Sequence, residues 1–249
     1  LVPIQKLCTR TYGYLANLPC RYGEHRLQIN ALLAVTLIVL ITVTSARANS
    51  DVIQILALGD SLTAGYGLSQ SEAFPTRLAA ALREKGIATE IVNAGVSGDT
   101  TSGALQRLDW LLDRPFKLAI VELGANDALR AVSPDLTQQN LETIIQKLKA
   151  TGATVLLAGM KAPRNLGPDF AKEFDPIFPE LAKSLDLQFY PFFLDGVAAD
   201  PSLNQGDGMH PNAKGVAIIV ERMLPFVMRA LRKESVSYTH LTLPTSDLV

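Results

Sequence analysis

Five short apolar runs, separated by stretches with helical periodicity, constrain the fold more than any other feature of this sequence. The runs are expected to form strands at residues 52–58, 89–93, 118–123, 153–159 and 187–193. In the intervening stretches apolar residues recur at helical spacing, as at Leu141, Ile144 and Leu148. Apolar strands that alternate with helical crossovers form a parallel sheet covered on both faces. The sequence therefore predicts an α/β fold with a five-stranded parallel sheet.

The N- and C-terminal segments do not fit this alternation. Residues 31–43 form an uncharged apolar run, shorter than the roughly 20 residues of a membrane-spanning helix but suited to the core of a signal peptide. The small residues of the following "SARANS" predict cleavage near Ala48. We therefore assign residues 1–48 to an upstream segment and signal peptide, residues 49–233 to one domain, and residues 234–249 to an unstructured or appended tail. An uncleaved membrane anchor is the alternative interpretation of the apolar run.

Charge and cysteine content narrow the possible partners. The formal net charge is −1, which does not favour nucleic-acid binding because such binding requires a basic surface. Cys8 and Cys20 both precede the predicted domain, and no cysteine–histidine cluster has the spacing of a metal site. We expect a periplasmic or secreted monomer that acts on a small molecule, without a metal, a cofactor, a nucleic acid or a stable membrane span.

Polar residues follow the predicted strands, at the edge of the sheet where ligands bind in open α/β folds. Ser61 follows the first strand in "ILALGDSLTAGYG". A serine hydroxyl is a poor nucleophile without a base, and His210 is the one histidine of the predicted domain. Asp207 precedes His210 by three residues, which lets its carboxylate reach the imidazole Nδ1 while Nε2 faces the serine. The sequence thus predicts Ser61 as nucleophile, His210 as base and Asp207 as the orienting carboxylate.

Hydrogen-bond donors for an oxyanion are expected at the same edge of the sheet. Three are available there, namely the backbone N–H groups of Ser61 and Gly95 and the side-chain amide of Asn126. Each residue also has a structural interpretation, since Ser61 can be a turn or N-cap residue, Gly95 a turn residue and Asn126 a cap. The catalytic interpretation is favoured because all the polar segments follow predicted strands and are therefore expected at the same edge of the sheet.

Four motifs carry a resemblance to a known family. "GDSLTAGYG", the glycine of "NAGVSGDTT", "GANDALR" and "DGMHP" resemble, in order, the blocks that define the GDSL or SGNH hydrolases. The four letters correspond to Ser61, Gly95, Asn126 and His210. The resemblance implies a flavodoxin-like three-layer α/β/α fold and hydrolysis of acyl esters or thioesters without metal or cofactor. It is strongest to the bacterial periplasmic branch that includes arylesterases, acyl-CoA thioesterases and lysophospholipases.

The substrate site is predicted from location. The loop at residues 160–170 follows the fourth strand, and its prolines and glycine make it a candidate wall of an acyl-chain groove. Asp127 has a second interpretation as a helix cap. The residues assigned to the substrate site are Leu62, Asp127, Leu129, Leu166 and Phe170.

Two other functions stay open on the sequence alone. A carbohydrate esterase that removes acetyl groups would use the same Ser61, Asp207 and His210 and would differ in having a small, polar-rimmed pocket. A non-catalytic binding module on a flavodoxin-like scaffold is the alternative from another class, because a fold does not fix a function. The preferred acyl length and the covalent labelling of Ser61 distinguish the three.

Overall fold

A computed structural model describes residues 52–232, and a parallel β-sheet forms their centre. The apolar run at 31–43, the cleavage site near Ala48 and the tail at 234–249 lie outside the described residues. In chain order the strands are β1 Ile53–Gly59, β2 Thr89–Gly95, β3 Leu118–Glu122, β4 Thr154–Ala158 and β5 Gln188–Tyr190. They pair in the order β2-β1-β3-β4-β5 and all pairs are parallel. This is the flavodoxin-like order, so the predicted fold class is confirmed.

Helices connect these strands. Within residues 52–232 they are α1 Ser61–Ala64, α2 Phe74–Glu84, α3 Thr101–Leu111, α4 Ala125–Leu129, α5 Pro134–Ala150, α6 Pro168–Phe174, α7 Ile177–Ser184 and α8 Ala213–Arg232. The last helix, α8, continues through Pro225. A proline removes only one backbone donor, and Met223 and Val227 on either side are fully buried, which holds the helix together across it.

The helices cover the sheet in two groups. On one side α2 packs against α8, and on the other α5 contacts both α3 and α7. All five residues of β3 are buried, as expected of a central strand with helices on both faces. The result is the three-layer α/β/α arrangement. No helix between residues 52 and 232 is long and apolar enough to cross a membrane.

The carboxyl ends of three strands lie level with one another. Gly59 at the end of β1 pairs with Gly95 of β2 on one side and with Glu122 of β3 on the other. Because the strands are parallel, α1, the turn after β2, and α4 all begin at this one edge of the sheet. The edge therefore collects the polar segments that the sequence places after the strands.

Candidate active site

Ser61 is the first residue of α1 and directly follows β1 and Asp60. Asp60 caps this helix, since its Oδ1 accepts a hydrogen bond from the Leu62 N–H at 2.9 Å. The helix crosses close over Gly95, where any added Cβ would collide with the backbone nitrogen of Ala64. Only 9% of Ser61 is exposed to solvent. A short helix held this tightly fixes the hydroxyl at the edge of the sheet.

His210 and Asp207 complete a relay to this hydroxyl. The His210 Nε2 lies 3.0 Å from the Ser61 Oγ, and its Nδ1 lies 2.6 Å from the Asp207 Oδ2. The other Asp207 oxygen accepts the backbone N–H groups of Met209 and His210, at 2.9 and 3.0 Å. These backbone hydrogen bonds, followed by the one to the imidazole, lower the pKa of Asp207 to about 2. The Asp207 carboxylate is therefore ionised at neutral pH. Its hydrogen bond with the His210 Nδ1 fixes the orientation of the imidazole ring.

The loop that carries His210 is held by polar contacts at its surface. The Gln205 backbone N–H donates to the His210 carbonyl at 2.7 Å. The Gln205 Nε2 donates to the carbonyls of Tyr66 at 2.7 Å and Pro211 at 3.0 Å. The Tyr66 ring packs on the imidazole with 4.7 Å between centroids. Gln205 and Tyr66 thus connect the histidine loop to the segment that follows α1.

Asn126 and Asp60 form a pair beside Ser61. The Asn126 Nδ2 donates to the Asp60 Oδ2 at 3.0 Å, which fixes the plane of the amide. Asn126 also lines the groove in front of Ser61, and its amide carries a second N–H. Burial raises the pKa of Asp60 to about 6, and the hydrogen bonds from Leu62 and Asn126 oppose this shift. Above that pH Asp60 is a carboxylate that accepts from both groups.

Of the two glycines of "NAGVSGDT", one lines the groove and the other does not. The Gly95 N–H donates to the Asn93 Oδ1 at 3.0 Å, and Gly95 does not line the groove. Gly98 does line it, with a φ of 81°. Among residues 52–232 its N–H has no hydrogen-bond partner, while its carbonyl accepts from Arg130 at 2.8 Å. The Gly95 N–H, which the sequence predicts as an oxyanion donor, is therefore already hydrogen-bonded, whereas the Gly98 N–H at the groove has no such partner among residues 52–232.

A second carboxyl group lies beneath α1. Glu122 ends β3, is fully buried, and accepts a hydrogen bond from the Thr63 Oγ1 at 2.7 Å. Its Oε1 has no hydrogen-bond partner in the described part of the chain. Burial raises the pKa of Glu122 well above its usual range, and the charge of nearby Asp60 raises it further. The hydrogen bond from Thr63 to Glu122 ties α1 to the central strand.

A groove of about 350 Å³ opens in front of Ser61. Leu62 and Leu129, which the sequence analysis assigns to the substrate site, are among its lining residues. Further apolar lining comes from Met160, Pro163, Phe192, Leu194, Ala198 and Ala199. Most of the exposed lining is apolar, so the groove offers an apolar surface to a bound molecule.

Leu166 and Phe170, which were predicted to line the substrate site, lie outside this groove. Phe170 stacks on Phe174 with 5.6 Å between ring centroids and packs against the core. Leu166 belongs to a short 3-10 helix, Arg164–Leu166. Neither residue lines the groove. Among the first residues of the loop after β4, Met160, Lys161 and Pro163 form part of the groove lining, and Phe170 packs against the core instead.

Asp127 was also predicted to contact substrate, and the structure contradicts this. It is fully buried and accepts hydrogen bonds from the Thr101 N–H at 2.9 Å and the Thr101 Oγ1 at 2.6 Å. Asp127 therefore holds the start of α3 against α4, close to the alternative interpretation as a cap. In the part of the chain that is described, no three His, Cys, Asp or Glu side chains are grouped as metal ligands.

Gly98 and Glu122 were missed by the sequence analysis for different reasons. Gly98 lies just before Thr100, which caps α3 by accepting the Gly103 N–H, so a turn at a helix start was a readable signal. An acidic residue at the end of an apolar strand usually begins a solvated loop. Nothing in the sequence distinguishes Glu122 from that case.

The chain is similar to known proteins over most of the described residues. The model of the GDSL-like Lipase/Acylhydrolase family matches residues 57–218. The chain is 40% identical over 187 residues to the Thioesterase 1/protease 1/lysophospholipase L1 of Escherichia coli (strain K12), covering 75% of this chain and 86% of that protein. It is 38% identical over 173 residues to Esterase TesA of Pseudomonas aeruginosa, covering 69% of this chain and 86% of that protein.

A solved structure shows the same similarity in three dimensions. AlinE4, a SGNH-hydrolase family esterase, aligns with a TM-score of 0.62 at 48% identity, covering 74% of this chain and 99% of AlinE4.

Proposed function

The chain belongs to the GDSL-like lipase/acylhydrolase family and is an ester- or thioester-cleaving enzyme of it; on this premise we propose that it works through an acyl-enzyme on Ser61. His210 is the general base and acid, and Asp207 orients its imidazole. The observation that carries the proposal is the continuous relay of 3.0 and 2.6 Å between the serine, the imidazole and the carboxylate.

The first step transfers the acyl group to the enzyme. The Ser61 Oγ attacks the carbonyl carbon while the His210 Nε2 takes the hydroxyl proton. The tetrahedral intermediate then collapses, the bond to the leaving oxygen or sulfur breaks, and the imidazolium returns the proton to the departing alcohol or thiol. In the second step a water molecule replaces the alcohol, attacks the acyl-enzyme with the same proton transfers, and releases the acid. Asp207 stays ionised throughout and stabilises the imidazolium.

Three donors converge on the oxyanion of the intermediate in this proposal. They are the backbone N–H groups of Ser61 and Gly98 and the side-chain amide of Asn126. Two observations support the choice of Gly98, namely its place in the groove lining and its unpartnered N–H among the described residues. Loss of one such donor typically costs about 10²–10³ in rate.

The substrates we propose are esters and thioesters with an apolar acyl or aryl portion. The apolar lining of the groove supports this class, since an apolar chain gains free energy as it leaves water. The names of the relatives, thioesterase, lysophospholipase and esterase, agree with it. The same Ser61 relay would serve a carbohydrate acetylesterase, but a mostly apolar groove does not favour a sugar.

Covalent labelling tests the role of Ser61. A fluorophosphonate probe should label the wild type once, and Ser61→Ala should abolish both the labelling and, by about 10⁴-fold or more, the hydrolysis of p-nitrophenyl esters. Ser184→Ala, which changes an exposed serine at the end of α7, is the matched control and should behave as wild type. A folded Ser61→Ala protein with native turnover would end the proposal.

A series of p-nitrophenyl esters tests the substrate class. We expect turnover to rise from acetate to medium-chain acyl groups as more of the apolar groove is filled. A strong preference for acetate over every longer ester would favour the acetylesterase function instead. Failure of the probe to label folded protein would favour a non-catalytic binding role.

We also propose that residues 49–233 form the mature enzyme, which acts outside the cytoplasm as a monomer and without a metal ion. The length of the apolar run at 31–43 and the small residues near Ala48 support cleavage and export. Mass spectrometry of the protein recovered from expressing bacteria should find a chain that begins near Asn49. Activity should survive treatment with a chelator. An uncleaved N-terminus in the active protein would contradict the export proposal alone.

A further inference from the structure

Lys161 is a cation placed in a mostly apolar wall of the catalytic groove. It lies between Met160 and Ala162 in the loop after β4, and it lines the same groove as Ser61. Its backbone is fixed next door, because the Ala162 N–H donates to the Asp175 Oδ1 at 2.8 Å. The Lys161 side chain itself is exposed. A fixed backbone therefore presents an exposed ammonium group at the groove.

No carboxylate among residues 52–232 forms an ion pair with Lys161. Its Nζ lies 4.9 Å from the centre of the Phe192 ring, a cation–π contact that leaves the ammonium N–H groups available. The one acidic residue that lines the groove, Asp60, is fully buried and accepts from Leu62 and Asn126. The Lys161 ammonium group is therefore available to bind an anionic group of a ligand.

The other cations near the site are already engaged. Arg107 pairs with Asp99 at 2.7 Å and also donates to the Gly59 carbonyl at 3.2 Å. Arg130 donates to the Gly98 carbonyl at 2.8 Å. Neither lines the groove. Of the groove-lining residues in the described range, Lys161 is the only lysine or arginine.

Lys161 and Phe192 also separate the groove from a neighbouring cavity of about 450 Å³. That cavity contains Asp195 and Arg222, which form an ion pair with each other, so the Asp195 carboxylate is committed. A leaving group that extends from Ser61 past Phe192 would meet the Lys161 ammonium at this boundary. The acyl chain would then lie against other apolar lining of the groove, such as Leu62 and Leu129.

We propose that Lys161 is a specificity residue that favours substrates whose leaving group carries a phosphate. The inference rests on the proposed function, since it concerns the ester or thioester that reacts at Ser61. A lysine ammonium binds phosphate oxygens as a compact charge with three donors. Phosphate can come from the nucleotide part of a thiol carrier such as coenzyme A or from the head group of a single-chain phospholipid. Both place the anion on the side that leaves.

Four substrates with the same acyl chain test this proposal. Decanoyl-coenzyme A is compared with neutral S-decanoyl-N-acetylcysteamine, and decanoyl lysophosphatidylglycerol with neutral monodecanoylglycerol. Lys161→Gln should raise KM for the phosphate-bearing substrates by roughly five-fold, because an exposed ion pair contributes up to about 1 kcal/mol. It should leave the neutral substrates and kcat unchanged. Lys161→Arg should keep the preference, and Lys214→Gln, a change on α8 outside the groove, is the matched control.

The arms of this experiment separate the two phosphate sources. A change with the coenzyme A thioester alone or with the lysophospholipid alone identifies the source, and either supports the proposal. Equal changes for charged and neutral substrates, or none for any, overturn it. As a second measurement, added salt should shrink the wild-type preference for phosphate-bearing substrates, since salt screens exposed charges. Hydrolysis of all four substrates by Ser61→Ala would instead contradict the proposed function.

Discussion

The segment around Ser61 is buried and built into the end of the sheet, whereas the loop around His210 is exposed and held by its own hydrogen bonds. Ser61 stands on α1, which contacts Gly95 closely and is tied to β3 through Thr63 and Glu122. His210 is placed by backbone donors to Asp207 and by contacts of Gln205. One half of the relay is positioned by packing and the other by a polar turn. Substitutions in the His210 loop should therefore reduce activity, and substitutions around Ser61 should reduce stability.

The largest effect is expected at the loop, and it should fall mainly on activity. His210→Ala should lower kcat by about 10⁴-fold or more, because among residues 52–232 His210 is the one base hydrogen-bonded to the Ser61 Oγ. Asp207→Ala should retain one to two orders of magnitude more activity than His210→Ala, since the orienting carboxylate contributes less. Steady-state kinetics and urea denaturation measure the two properties. His210→Ala should unfold at nearly the wild-type urea concentration, because the loop is exposed. Asp207→Ala should unfold at a slightly lower urea concentration, because its carboxylate accepts two backbone N–H groups of the loop. A large loss of stability in either would show that the loop is not the independent turn described above.

The next largest effect is expected on the nucleophile side, and it should fall on stability. Gly95→Ala forces a methyl group against the Ala64 backbone and should destabilise the protein by about 3 kcal/mol. Gly206→Ala on the histidine loop is the matched control, since its new methyl group would meet no atom within 4 Å. Thermal unfolding should show a marked drop for the first variant and little change for the second. Equal drops would remove the distinction between the two halves.

Glu122→Gln sharpens the comparison through pH. Because the folded pKa of Glu122 lies above its ordinary value of 4.5, the folded protein keeps a proton that the unfolded chain releases as pH rises. Stability from this group is therefore present at low pH and is lost as pH increases through the folded pKa. Asp60, with its pKa raised from 3.8 to about 6, adds a loss in the same direction over that interval.

Glutamine cannot release a proton, so the variant should lose less stability than wild type as the pH rises from 4.5 through the folded pKa of Glu122. Urea denaturation at several pH values measures this difference. Glu84→Gln, at an exposed position of α2, is the control and should follow the wild-type curve. Parallel curves for Glu122→Gln and wild type would show that Glu122 is not held protonated.

The smallest effect is expected at Gln205, which braces the histidine loop from the side. Gln205→Ala removes the bonds to the Tyr66 and Pro211 carbonyls, and kcat should fall by a few-fold as the imidazole gains freedom. The unfolding free energy should change by less than about 1 kcal/mol. Gln146→Ala, an exposed position on α5, should leave both quantities unchanged. A loss of kcat as large as that of Asp207→Ala would assign Gln205 a larger role than bracing.

The same contrast explains which parts of the molecule the sequence predicts. The strands and most helices follow from local periodicity, and their order brings Ser61, Asp207 and His210 to one edge. The choice between Gly95 and Gly98 does not follow, because it depends on which N–H is already bonded, here that of Gly95 to Asn93. Burial also explains why Phe170 and Asp127, which the sequence analysis assigned to the substrate site, do not lie in the groove.

Phe170 is turned inward by its stacking on Phe174, and Asp127 is enclosed by donors from Thr101. Neither contact can be read from neighbouring letters, since the partners are fixed by how the loops fold back on the sheet. Lys161 shows the reverse case. Its exposed side chain looks ordinary in the sequence, and only the groove reveals that it shares a surface with the serine.

The distance along the chain between the two halves has a consequence for biosynthesis. His210 follows Ser61 by 149 residues, and proteins emerge from the ribosome beginning at the N-terminus. A growing chain therefore displays its serine long before the imidazole that would activate it is made. Reactivity would appear only after α8, the segment next to His210, has docked on β4 and β5. An unfinished polypeptide would therefore be unable to attack the acyl compounds of the cell that makes it.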